Sequence, residues 1–471
     1  MGEADAIGGA ETITRELGRI VGAEHARAPT ASELEDASNA AGLRGRADAF
    51  VAPGTPEEVA TVVAWCYAHD VAITPRGGGT GFSGGAVPDG GVVLSTGRLA
   101  RVRSFDPEWW RMEVDAGVTT ATVARRAREQ GLWFPPDPGA AESSQLGGNL
   151  ATNAGGPHAL KYGVTRNWVL GVEAVLAPGE LVRFGGPVRK DVAGYDLSAL
   201  LIGSEGTLGV ITGAWLRLIP APEATAVAVA LYRHAVSAQD ALERLLASGV
   251  TPAAVEFLDA AAFRAAATTF PVHPVAARLD DATSSGVLLI AEVDGPADGI
   301  DAQLAALTEA LAGEGLLADA TLHELADTRA LWRWRDTVSG AVSAQQGGKL
   351  SDDIAVPVDR LADAIEGTLE IGARHGLGAC SWGHAGDGNL HATFFLDPSD
   401  HAQRARADEA ASELFALART LGGTVSGEHG LGLLKNGELS KQWAPAAVAA
   451  QLAIKQALDP KGLLNPGKKL P

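Results

Sequence analysis

The sequence predicts an α+β protein, and three observations carry that prediction. Up to about Pro222, short apolar or alternating runs interleave with helical stretches around glycine-rich loops. Beyond Pro222 a strand–helix–strand unit occurs twice, the pattern of a ferredoxin-like sheet covered by helices on one face. The last part of the chain is mostly helical and ends in a Pro/Gly-rich tail over 459–468.

In order, residues 1–45 read as a polar helical lead-in. Thr55 then caps a helix over 56–69, with Pro56 at its first position and Glu57 and Glu58 in its first turn. A short strand over 72–75 runs into a glycine loop. Strands follow at 92–94, 112–114, 172–176 and 210–212, with a helix over 119–130. Pro220-Ala221-Pro222 marks a boundary. The two later units are strand 226–231, helix 237–248, strand 254–258, and strand 287–293, helix 297–314, a strand near Leu322. Helices at 331–343 and 358–375 precede a histidine hairpin, and helices at 399–421 and 444–457 follow it. The expected division is a lead-in over 1–45, a domain over 46–222, a second over 223–425, and a C-terminal segment over 426–471.

With 471 residues the chain exceeds one compact core. A net charge of −19 argues against nucleic acid or an anionic membrane as partner. Two cysteines, Cys66 and Cys380, lie in apolar stretches and build no disulfide framework, so a reducing compartment is the default. No apolar run reaches the length of a membrane span, and the first 24 residues lack the apolar region of a signal peptide. A cytoplasmic protein, at most peripheral to a membrane, is expected; the sequence allows a homodimer.

Two kinds of motif carry chemistry. Three backbone-rich loops lie in the first domain: Pro75-Arg76-Gly77-Gly78-Gly79-Thr80-Gly81-Phe82-Ser83-Gly84-Gly85, then 145–156, then Gly203-Ser204-Glu205-Gly206-Thr207-Leu208-Gly209. Consecutive glycines let N–H groups converge on an anion. Neither a nucleotide-triphosphatase loop nor a dinucleotide fingerprint is present. Three such loops imply one long ligand with phosphates and a flat ring system. The second kind is Gly383-His384-Ala385-Gly386-Asp387-Gly388-Asn389-Leu390-His391, followed by Ser426-Gly427-Glu428-His429-Gly430. A tight turn brings His384 and His391 face to face, and Glu428 or His429 supplies the third side. Imidazole plus carboxylate suits a divalent metal of the zinc or manganese kind.

The three loops, with Lys190-Asp191-Val192-Ala193-Gly194-Tyr195-Asp196 between them, resemble the FAD domain of the vanillyl-alcohol-oxidase and p-cresol-methylhydroxylase (PCMH) superfamily. The histidine hairpin and Ser-Gly-Glu-His-Gly narrow the resemblance to its D-2-hydroxyacid dehydrogenase branch: D-lactate dehydrogenases, the glycolate oxidase catalytic subunit and D-2-hydroxyglutarate dehydrogenase. It covers roughly 47–471. It implies a two-part PCMH-type FAD-binding domain, a ferredoxin-like substrate (cap) domain and a helical C-terminal segment.

By that resemblance, Pro75, Gly77, Gly78, Gly79, Thr80, Gly81, Gly84 and Gly85 surround the FAD pyrophosphate. Pro136, Gly147, Gly148, Thr152, Asn153 and Gly155 line the isoalloxazine and ribityl side. Glu205, Val210 and Ile211 meet the adenine end, and Asn465 returns to the flavin. His158 is the local candidate for covalent attachment but matches no attachment motif, so non-covalent FAD is expected. His384, His391 and Glu428 correspond to the metal ligands, for Zn2+ or else Mn2+ or Fe2+. His429 corresponds to the general base, Asn389 to a substrate-contacting amide, and Arg335, with Ser339 one turn on and Lys349 as a second cation, to the carboxylate clamp.

The function this implies is oxidation of a D-2-hydroxy acid to the 2-oxo acid, by hydride transfer to flavin N5 with metal assistance. Two cations favour a dicarboxylate such as D-2-hydroxyglutarate over D-lactate. The electron acceptor, whether electron-transfer flavoprotein, cytochrome or quinone, is not set by the sequence. The alternatives are a non-catalytic flavin-binding subunit of a glycolate-oxidase-like complex and an oxygen-using alcohol oxidase of the same fold. The intact histidine cluster argues against both.

Overall fold

A computed structural model describes residues 9–38 and 42–470. The lead-in expected over 1–45 thus falls partly outside the described residues; within them a helix spans Ala10–Val21. The chain forms two compact units. Among the described residues, one lies within 1–155, 164–221 and 428–471, the other within 156–163 and 222–427.

The first unit carries two sheets and a short strand pair among the described residues. The strands β1 (Ala26–Arg27), β2 (Ala49–Val51), β3 (Ile73–Arg76) and β4 (Val92–Ser95) pair in the order β1-β2-β4-β3. The β2–β4 and β3–β4 pairs are parallel; the helix Pro56–Ala68 carries the chain from β2 to β3, and the glycine loop carries it from β3 to β4. Thr55 caps that helix as expected, accepting from the Glu58 N–H at 3.2 Å. Val59, Val62, Val63 and Cys66 of the helix close over Ile73, Val92 and Leu94 as one core. The strands β5 (Val102–Asp106), β6 (Arg111–Asp115), β8 (Val169–Leu176), β9 (Glu180–Gly185) and β10 (Val210–Arg217) form an antiparallel sheet in the order β5-β6-β10-β8-β9. Between them β7 (Leu132–Trp133) pairs with β11 (Ile219–Pro220).

Three elements here escape the sequence reading for a physical reason. β5 and β9 are edge strands without a fully buried residue, so no apolar run announces them. The stretch 145–156, read as a loop, instead holds a helix, Leu146–Thr152. Gly147 and Gly148 disguise it, because glycine disfavours a helix interior. Tertiary support compensates: the Leu146 and Gly147 N–H groups donate to Val118 O at 2.9 Å and Ala116 O at 2.7 Å.

The second unit is organised by an antiparallel sheet of β12 (Ala224–Tyr232), β13 (Ala254–Asp259), β14 (Val287–Gly295), β15 (Leu316–Leu322), β16 (Lys349–Ala355), β17 (Ala379–His384) and β18 (Asn389–Phe395). Their order is β15-β12-β14-β13-β17-β18-β16. The first four strands have the ferredoxin-like arrangement, with the helices Ala235–Ala247 and Ile300–Leu311 as crossovers. The histidine hairpin extends this sheet: β17 pairs with β13 as well as with β18. β16, unforeseen because Lys349, Asp352 and Asp353 interrupt its apolar run, pairs along β18. The helix Leu325–Gln346 is longer than expected and packs Leu331, Trp334, Val338 and Val342 into a core with Leu258, Phe263, Cys380 and Trp382.

Residues 156–163 lie in this second unit although the chain on either side belongs to the first. Two buried carboxylates of β14 hold them. Glu292 lies 3.0 Å from His158 Nε2, and Asp294 accepts from the Tyr162 hydroxyl at 2.7 Å and pairs with Lys161. Leu160 packs where a Cβ on Gly386 would stand.

Candidate functional site

The glycine loops of the first unit divide into two kinds. A Cβ on Gly78 would come within 2.1 Å of Ser143 O, and one on Gly147 within 2.8 Å of the Ala116 Cβ. These glycines are explained by close packing within the protein. Gly148 has nothing within 4 Å of such a Cβ, and Gly81 only the Asp36 carboxylate at 4.0 Å. Those bare backbones face open space, which is what a cradle for a long phosphate-bearing cofactor requires. The loop 77–85 is braced from behind by Arg76, which follows Pro75 and donates to Glu35 O at 2.6 Å and Ser32 O at 2.8 Å. Thr80 and Gly77 lie along the same loop. Gly79 and Gly84 take positive φ, 69° and 80°, a conformation that favours glycine.

The remaining flavin candidates mostly hold loops in place. Thr152 donates to Gly148 O at 3.1 Å inside its helix. Asn153 ends that helix at φ 54° and accepts from the Arg166 N–H at 2.9 Å. Pro136 and Gly155 are buried, and Val210 and Ile211 begin β10. Asn465 donates to Gly85 O at 2.9 Å and Glu205 O at 2.6 Å, stitching the first loop to the third. The buried Glu205 carboxylate accepts from the N–H groups of Leu431 at 3.0 Å and Gly432 at 2.7 Å, and pairs with Lys469 at 3.2 Å. It anchors the segment that directly follows Glu428-His429-Gly430. Ser83 donates to His429 O at 2.9 Å, and Phe82 stacks on the His429 ring with centroids 4.7 Å apart. The glycine loop and the Glu-His motif are thus joined within one unit.

In the second unit the side chains dominate. His384 ends β17 directly opposite Asn389, and Trp382 opposes His391. Strand alternation therefore puts all four side chains on one face of the sheet. The two imidazoles meet edge to face with centroids 5.6 Å apart. Across the other edge of β17, Glu256 opposes His384, and its carboxylate lies 2.5 Å from His384 Nδ1. The same carboxylate accepts from Arg335 Nε at 2.7 Å. Glu256 is fully buried. Burial opposes its ionisation, but Arg335 and His384 outweigh that and hold its pKa below the usual carboxylate range.

Arg335 and Ser339 lie one turn apart on the helix Leu325–Gln346. Lys349, at the start of β16, donates to Ser339 Oγ at 2.6 Å and Ser339 O at 2.7 Å, with Nζ 5.0 Å from the Trp382 ring centre. Burial lowers its pKa to about 8. Asn389 donates to Ile354 O at 3.0 Å, while its buried Oδ1 has no hydrogen-bond partner among the described residues. Ser426 donates to Asp353 at 3.2 Å, and a Cβ on Gly427 would overlap the Asn389 amide. The chain is thereby fixed one residue before Glu428, with which the next segment of the first unit begins. His158 lies against Glu292 and Trp332.

Sequence reasoning missed Glu256 and Glu292. Each is a lone acid inside an apolar strand, Ala-Val-Glu-Phe-Leu and Leu-Ile-Ala-Glu-Val. An acid there must find a cationic or hydrogen-bonding partner, which was the available signal.

A family model for the FAD binding domain matches 47–185, and one for the C-terminal domain of FAD linked oxidases matches 221–469. The chain is 37% identical over 426 residues to the glycolate oxidase subunit GlcD of Bacillus subtilis (strain 168), covering 89% of this chain and 88% of that one. It is 34% identical over 440 residues to the mitochondrial D-2-hydroxyglutarate dehydrogenase of Rattus norvegicus, covering 91% and 79%. The fold matches p-cresol methylhydroxylase with substrate bound, with a TM-score of 0.78 at 18% identity, covering 98% of this chain and 96% of that one. Among the described residues no helix is long and apolar enough to cross a membrane. The chain belongs to the FAD-linked oxidases and is an FAD-dependent oxidoreductase.

Proposed function

We propose that this protein oxidises a D-2-hydroxy acid to the 2-oxo acid with the help of a divalent metal held by His384, His391 and Glu428. The observation that carries the reading is the pair of imidazoles facing each other across the 384–391 turn, with a buried carboxylate behind His384. Two imidazoles and a carboxylate are a suitable donor set for zinc, manganese or ferrous iron. When bound, the metal stabilises the developing alkoxide and FAD supplies the hydride acceptor. The flavin is dissociable, since His158 is engaged with Glu292 and Trp332.

The chain's own residues do the rest. His429 takes the proton from the substrate hydroxyl. Arg335 and Lys349 orient the carboxylate, with Ser339 holding the Lys349 ammonium. Asn389 contributes its amide oxygen to the substrate.

The charge count bears on the substrate. Two uncompensated cations would favour a dicarboxylate, but Glu256 already balances Arg335. One net positive charge, that of Lys349, remains between these three groups. It matches one carboxylate, so the substrate proposed is a 2-hydroxy monocarboxylate, D-lactate or the achiral glycolate. Among these three groups a second carboxylate would find no cation of its own. The test is a turnover screen of D- and L-lactate, glycolate and D-2-hydroxyglutarate with an artificial electron acceptor. D-Lactate or glycolate should lead in kcat/KM, and a chelator should abolish turnover while the flavin absorbance stays. A tenfold preference for D-2-hydroxyglutarate would overturn the monocarboxylate; no turnover with any of them would overturn the reaction.

A further inference from the structure

From the double engagement of Glu256 we infer that it is a positioning residue which sets the tautomer of His384 and, through the same carboxylate, the orientation of Arg335. The inference rests on the metal reading above and deepens it. Glu256 is fully buried on β13, with Oε1 2.5 Å from His384 Nδ1 and Oε2 2.7 Å from Arg335 Nε. A carboxylate only accepts, so it requires a proton on Nδ1 of His384. That tautomer puts the ring's lone pair on Nε2, the form in which a metal-bound imidazole is held by an outer carboxylate. Arg335 is a donor at every pH, so it too demands an acceptor from Glu256.

The two demands make Glu256→Gln a sharp probe. A glutamine has one oxygen and one amide nitrogen. Arg335 claims the oxygen, because its alternative is a guanidinium facing a donor. The amide nitrogen then donates to His384 Nδ1, which has to give up its proton to Nε2. The isosteric change should therefore invert the imidazole and block its lone pair. Removing Arg335 as well releases the glutamine, which can turn its oxygen back to His384.

The experiment uses full-length flavoprotein stripped of metal and titrated with zinc against a competing chelator. Ring nitrogens of 15N-labelled histidine are followed by NMR in the same samples. Glu256→Gln should weaken zinc binding about 10- to 100-fold and move the His384 proton from Nδ1 to Nε2. The double variant Glu256→Gln/Arg335→Met should recover most of the zinc affinity and the original tautomer, though not substrate affinity. It also keeps the test open should the single variant fold poorly around a guanidinium that has lost its counter-charge. A merely structural Glu256 predicts no rescue. Unchanged zinc affinity in Glu256→Gln, or a double variant no tighter than the single one, overturns the inference. A wild type that binds no zinc would instead remove the metal reading, and the tautomer measurement, which needs no metal, would still decide the role of Glu256.

Discussion

The two units of this chain present function in opposite ways. In the first, the candidate ligand surface is backbone: Gly81 and Gly148 expose bare main chain, and the polar side chains nearby, Glu205 and Asn465, are spent on holding loops. In the second, the surface is side chains on one face of a sheet, His384, His391, Asn389 and Lys349, with Glu256 holding His384, Ile354 O holding Asn389 and Ser339 holding Lys349. The difference teaches where each kind of site is fragile. A backbone site should fail through added volume, a side-chain site through lost charge or lost donors.

The largest effect should follow from removing a metal ligand. His384→Ala, His391→Ala or Glu428→Ala should each cost on the order of 4 kcal/mol of barrier stabilisation, roughly 1000-fold in turnover. Metal analysis should find the ion gone and absorbance should find the flavin retained. Loss of flavin in these variants would break the contrast between the units.

Next is the base. His429→Asn should lower kcat by about 100- to 10,000-fold with a small change in KM. Part of the loss should return at high pH, where the substrate hydroxyl ionises more readily. An unchanged kcat would take His429 out of the reaction.

Lys349 gives a smaller, pH-dependent effect. Burial lowers its pKa to about 8. The ammonium is therefore present below that pH and lost as pH rises through it, so the wild-type KM for a carboxylate substrate should climb above about pH 8. Lys349→Met should have a raised KM already at pH 7 and no further climb through pH 8. A climb that persists in the variant would assign it to another group.

The smallest effect sharpens the backbone side. Gly148→Ala should stabilise the flavin-free protein by about 0.5–1 kcal/mol, because a helical glycine is replaced where space is open. It should at the same time weaken FAD binding. Gly78→Ala should instead destabilise the fold by roughly 1–3 kcal/mol, since its Cβ would collide with Ser143 O. Melting curves and flavin titration separate the two, and equal FAD affinity in Gly148→Ala would deny Gly148 a place at the cofactor.

Much of this was legible in the sequence because it was periodic or chemically unusual. The two strand–helix–strand units had helices and strands of ordinary length and apolar pattern, and they fold with that order. The hairpin was visible because Gly-Asp-Gly-Asn makes a turn whatever surrounds it. The strand at Lys349 was hidden because its neighbours, not its own residues, make it a strand. Glu256 was hidden because its importance lies in two partners 79 and 128 positions away. The same partnership changed the charge count at Arg335, which no reading of the helix alone could supply.

The excursion of 156–163 into the second unit has a practical consequence. A gene cut at residue 222 would yield an upstream fragment carrying Lys161 and Tyr162 without Asp294, and a downstream fragment in which Asp294 lacks Lys161 and Tyr162 and Glu292 lacks His158. Severing the C-terminal piece at 427 would likewise part Glu205 from the backbone it anchors. The chain passes from one unit to the other at four peptide bonds, so neither unit is a contiguous stretch that could be borrowed, shuffled or expressed alone. A soluble, cooperatively melting product from either fragment alone would be the surprise.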